Sequence, residues 1–93
     1  NDYNAKHPDL ILKIESHHLK KLWKTKPFLP QQRDSGNNIF TYKNTPITIE
    51  LENKIFSYGE YIEILEPLFL REKFIHRINK MQTNYGVDNK SII

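Results

Sequence analysis

The chain has 93 residues, of which 38% are hydrophobic, 27% charged and 12% aromatic; that is enough chain for one core, too apolar for a disordered segment and too polar for a membrane protein. The formal charge of +3 conceals a division, because Lys13, Lys20, Lys21, Lys24 and Lys26 crowd the first third while Glu50, Glu52, Glu60, Glu63 and Glu66 crowd the middle. There is no cysteine, which excludes a disulfide framework, thiolate metal ligation and a cysteine nucleophile and fits a reducing cytoplasm. No run approaches the roughly 18 apolar residues of a bilayer span, and no segment has the form of a signal peptide, so no membrane partner is expected.

The chain starts on Asn1, and residues 1–8 are polar without periodicity, as expected of a linker or a remnant of a longer protein. In the segment 9–16, DLILKIES, Leu10, Leu12 and Ile14 alternate with Ile11, Lys13 and Glu15, which predicts a strand with one buried face. Ser16 is an N-cap for a short helix that places Leu19, Leu22 and Trp23 on one side and its lysines in water, and Pro27 stops it. Segment 26–32, KPFLPQQ, with two prolines, reads as extended chain at a sheet edge; Asp34, Ser35, Gly36 and Asn37 then form a turn, and 38–43, NIFTYK, is a second strand.

Segment 47–59, ITIELENKIFSYG, fits both periods, since Ile47, Ile49 and Leu51 alternate while Ile47, Leu51 and Ile55 recur every four. A helix is chosen on three signals: Thr45 as N-cap, Pro46 in the first turn and Gly59 at the end. Segment 60–65, EYIEIL, is a further strand with Ile62 and Ile64 on one face and Tyr61, Glu63 and Leu65 on the other. Pro67 opens the last helix, with a stripe of Leu70, Phe74, Ile78, Met81 and Tyr85, closed by Gly86; residues 87–93 are expected to be a flexible tail. The order predicts an α+β fold, a ferredoxin-like βαββαβ open sheet with helices on one face and a C-terminal helix.

Chemistry-bearing patterns are sparse. His17 and His18 are chain neighbours that point apart and lack a spaced third ligand, so they are surface histidines at a helix entry, and His76 sits on a helix flank between Lys73 and Arg77. Ser16, Ser35, Ser57 and Ser91 each fit a cap, turn or tail, without a glycine-flanked elbow. Glu60, Glu63 and Glu66 lie along one strand, too far apart for paired acid-base work, and Gly36, Gly59 and Gly86 are isolated, which excludes a phosphate-cradling loop. No catalytic, cofactor-binding or metal-binding residue is assigned.

Two surfaces remain. Lys20, Lys21, Lys24, Lys26 and Arg33 form a basic cluster, ordinarily a solvated helix face but also the pattern of an independent nucleic-acid module contacting phosphates. Ile11, Phe40, Tyr42, Tyr61 and Leu65 are expected on the open sheet face, where burial against a second subunit is favoured over base stacking. Arg71, opening the last helix, is expected to pair with Glu66 or Glu72 or to reach a partner surface.

Segment 57–72, SYGEYIEILEPLFLRE, is similar to the C-terminal extension (WCX) domain that follows the WYL domain in bacterial transcription regulators. The resemblance runs through Ser57, Tyr58, Gly59, Leu65, Glu66, Pro67, Leu70, Arg71 and Tyr85, with 24–32, KTKPFLPQQ, and the first strand upstream, and so covers 9–86. It implies a non-catalytic regulatory and dimerisation domain that relays a signal sensed by a WYL domain to DNA binding. The implied partners are a homodimer mate, the parent's WYL domain and, through an N-terminal helix-turn-helix, DNA. The family's ligand-contacting residues lie in the WYL barrel, outside this resemblance.

Overall fold

A computed structural model describes residues 6–86. It is an α+β fold of four strands in one antiparallel sheet and three α-helices. Strand β1, Leu10–Ile14, buries Leu10, Leu12 and Ile14 and leaves Ile11 and Lys13 half-buried, as its alternation predicts. Ser16 Oγ accepts from the Leu19 N–H at 3.1 Å and starts α1, His17–Thr25, whose Leu19 and Trp23 face inward.

Residues 26–32 turn compactly instead of running along the sheet edge. The edge strand β2 is only Arg33–Asp34, and a turn through Gly36, Asn37 and Asn38, all at positive φ, leads to β3, Ile39–Tyr42. The glycine suits that turn, and the Asp34 carboxylate accepts its N–H at 2.9 Å.

Helix α2, Ile49–Phe56, starts later than the sequence predicts. Thr48, not Thr45, is the N-cap and accepts from Leu51 N–H at 3.1 Å, because the Thr45 hydroxyl is buried and donates to the Tyr42 carbonyl at 2.9 Å. Pro46 therefore precedes the cap, outside the first turn. Gly59 does take the left-handed conformation, φ +59°, but it opens a 3₁₀ turn, Gly59–Tyr61, after the helix has ended at Phe56. Strand β4, Ile62–Glu66, and helix α3, Leu68–Asn84, follow, and Gly86 stands just past the helix at φ +68°.

The sheet order is β2-β3-β1-β4. Leu10 pairs with Tyr42, Leu12 with Phe40 and Ile64, and Ile14 with Ile62, so these side chains share the covered face. Leu19 and Trp23 of α1, Leu51 and Ile55 of α2, and Leu70 and Phe74 of α3 close one core over it. The reverse face carries Ile11, Lys13, Arg33, Ile39 and Thr41.

This register corrects the expected sheet surface: Phe40 and Tyr42 are 1% and 0% exposed, core residues rather than rings on the open face. The two alternating sets of β3 are unequal in size, and the larger one joins the leucines of β1 where it removes more apolar area from water. Tyr61 is exposed, but in the 3₁₀ turn and not on the sheet.

Around Tyr42 the core is aromatic. Trp23 stacks on Phe28 at 4.6 Å between ring centroids, and Tyr58 meets Trp23 edge-on at 5.3 Å. Gln32 ties this cluster to the 26–32 segment: its Oε1 accepts from Tyr42 O–H at 2.6 Å and Phe28 N–H at 3.0 Å, while its Nε2 donates to the Trp23 carbonyl at 2.8 Å. His7 and Pro8, read from the sequence as linker, bond to Asn44 and Thr45 beside β3; the expected tail 87–93 lies outside the described residues.

Candidate functional site

Helix length against strand length creates the main concave feature. At about 1.5 Å per residue, the 17 residues of α3 span about 26 Å, whereas the five residues of β4 span about 17 Å. Starting from the end of β4 and folding back over it, α3 therefore outruns the sheet. Leu70 and Phe74 reach the core, but farther along Ile75, Ile78, Met81 and Tyr85 are exposed. The overhang and the end of the body enclose an open groove of about 700 Å³, with Phe56, Gly59, Glu60 and Ile62 opposite the helix.

Polar contacts fix the helix at its inner end. Arg71 donates from Nη1 to the Glu63 carboxylate at 2.7 Å and to the Ile64 carbonyl at 2.8 Å. The expected partners Glu66 and Glu72 are thus replaced, because α3 folding back over β4 brings Arg71 beside residues 63 and 64. Lys73 holds the nearly buried Glu52 of α2 at 3.0 Å, and the Arg77 guanidinium lies 4.1 Å from the Phe56 ring centroid, which itself meets Phe74 edge-on at 4.9 Å. Helix α3 is therefore pinned to both α2 and β4 on the near side of its overhang.

The basic cluster is partly neutralised. Lys24 lies 3.7 Å from Asp34, next to Arg33 on the edge strand, and Lys20 donates to Asn38 at 2.7 Å. Lys21 and Lys26 are exposed. Of the rings proposed to stack bases beside this cluster, Phe40 and Tyr42 lie in the core and Tyr61 is exposed in the 3₁₀ turn. Among the described residues no group of three His, Cys, Asp or Glu side chains is placed to hold a metal, and no helix is long and apolar enough to cross a membrane. Burial pushes the Tyr42 phenol well above its ordinary value, with Tyr58 acting in the same direction; the group is neutral and hydrogen-bonded to Gln32, a structural role.

Of the expected docking residues, Ile11 is half-buried on the reverse sheet face, Leu65 half-buried on edge strand β4, and only Arg71 lines the groove. The groove residues Phe56, Ile62 and Ile75 were not anticipated. A signal existed: the apolar stripe of α3 continues through Met81 and Tyr85, past the point where a five-residue strand has anything left to cover it. No protein-family model, no curated protein and no solved structure matches the chain.

Proposed function

We propose that this chain is a non-catalytic, cytoplasmic interaction module, the WCX-like extension of a WYL-type bacterial transcription regulator, built on a ferredoxin-like fold with an added C-terminal helix. The strand order β2-β3-β1-β4 supports the fold reading, and the motif residues Gly59, Pro67 and Arg71 stand at a turn, a helix entry and a helix anchor. The observation that carries the functional reading is the continuous apolar surface of Ile62, Ile75, Ile78, Met81 and Tyr85 about the groove. Such a surface suits the burial of another apolar surface; of the two carboxylates that line the groove, Glu63 is paired with Arg71 and Glu60 stands at its rim. The module associates with a second copy or with its parent's WYL domain, and a signal sensed there alters the spacing of two DNA-binding heads.

The alternative, an independent nucleic-acid module, rests on Lys20, Lys21, Lys24, Lys26 and Arg33 and keeps only Tyr61 of its three proposed stacking rings at the surface. Two measurements separate the readings: solution mass by light scattering over a tenfold concentration range, and anisotropy with duplex and single-stranded oligonucleotides from about 50 to 200 mM salt. Self-association without oligonucleotide binding is the expected result. Binding that falls steeply with salt and disappears when the four lysines become glutamates transfers the function to nucleic acid.

A further inference from the structure

We infer that the groove beneath α3 receives the α3 overhang of a second copy of this chain, the two helices running antiparallel about a twofold axis. This rests on the reading of the chain as a self-associating module and names the surface that does it. Phe74, Ile78, Met81 and Tyr85 follow one another at spacings of four, three and four, the two-per-heptad seam by which one helix packs against another. Within the described residues Phe74 finds its partner in Phe56, while Ile78, Met81 and Tyr85 stay 47%, 44% and 80% exposed.

One chain thus supplies both an uncovered helix seam and a groove beside it. A twofold arrangement covers both at once, since each overhang enters the corner that the other helix forms with its own body. Charge agrees with this occupant. From Lys73 to Gly86, α3 carries Lys73, Arg77 and Lys80 and no carboxylate, whereas the end of the body facing the groove carries Glu60 and Glu63. Glu63 is paired with Arg71, but neither Glu60 nor Lys80 has an ion-pair partner among the described residues. The overhang of one copy brings positive charge to the acidic end-face of the other, which favours self-pairing over an acidic partner helix.

The area sets the strength. With Ile75 at 45% added to the three exposed seam residues, the side-chain surface available is on the order of 400 Å² per copy, taking roughly 150–250 Å² for a full side chain of this size. Two copies and their rims come to about 1,000 Å², the low end of specific interfaces, so the dimer dissociates on dilution.

The test is sedimentation velocity of the whole chain from roughly 10 μM to 1 mM, a range that brackets a weak interface, with variants at exposed positions that leave the core intact. Wild type should pass from one to two copies with rising concentration, and Ile78→Glu should stay at one copy with an unchanged circular dichroism spectrum. Glu60→Lys and Lys80→Glu should each weaken the dimer at least several-fold, and the double variant should recover it. A dimer insensitive to Ile78→Glu but broken by Ile11→Glu on the sheet face overturns the inference and leaves the self-association reading standing. A wild type that is monomeric throughout overturns both; if removal of residues 87–93 then permits dimers, the chain's own tail is the occupant.

Discussion

Gln32 shows how much a single side chain settles in this protein. Its amide joins Tyr42, Phe28 and Trp23, three aromatic residues from different parts of the chain, and replaces the regular strand that two prolines deny to segment 26–32. Gln32→Ala leaves a buried hydroxyl, an N–H and a carbonyl without partners and should cost about 2–4 kcal/mol in urea unfolding. Tyr42→Phe removes only one of these bonds and should cost about 1 kcal/mol. That variant also isolates a pH effect. The folded phenol ionises well above the ordinary value of 10.0, while the unfolded one ionises at it. Its contribution is therefore fully present below pH 10 and declines as pH climbs from there toward the folded value. Tyr42→Phe should show a shallower alkaline decline than wild type, measured as the urea midpoint between about pH 9 and 11.

Among the elements, the helix starts test the difference between a visible cap and a used one. Thr45 and Thr48 both precede α2, and the structure assigns the cap to Thr48 and a buried role to Thr45. Thr48→Ala should cost about 1 kcal/mol, as expected for loss of an N-cap. Thr45→Val, close in shape but without the hydroxyl, gives up the buried bond to the Tyr42 carbonyl and the contact from Gln31 Nε2; it should cost about 1–3 kcal/mol through the β3 end, with helix content unchanged by circular dichroism. Strand β3 makes the same point about packing. Phe40→Ala should cost about 3–5 kcal/mol, whereas Ile11→Ser on the reverse face should cost less than half of that, measured by the same unfolding midpoint.

For the whole molecule, the decisive dimension is the mismatch between a long C-terminal helix and a short strand. Ordinary cores match their elements in length; here α3 runs on past β4, and the apolar side chains Ile75, Ile78, Met81 and Tyr85 beyond that point stay exposed among the described residues. A globular domain of this size rarely leaves such a seam in water without a use. The division of charge has a spatial counterpart: Lys20, Lys21 and Lys24 ride on α1 with Lys26 at its end, the carboxylates of the middle gather about α2 and β4, and α3 brings a second positive segment up to them. Self-association through α3 should accordingly weaken as salt rises, modestly, since the acidic and basic groups involved are exposed and screened.

The sequence alone determined the strand at 10–14, the helix capped by Ser16, the strand before Pro67 and the long helix after it, because each rests on local rules: alternation, a capping hydroxyl, a proline without an N–H, a glycine at positive φ. Only the tertiary structure decided which alternating set of β3 faces inward, since both Ile39 with Thr41 and Phe40 with Tyr42 fit a strand and the pairing with Leu10 and Leu12 chose between them. It likewise decided that Thr48 caps α2, that Arg71 meets Glu63 and not its chain neighbours, and that Ile75, Ile78, Met81 and Tyr85 border a groove. Each of these depends on which residues distant in sequence come within a few ångströms, and a periodic pattern in one segment carries no information about what lies across from it.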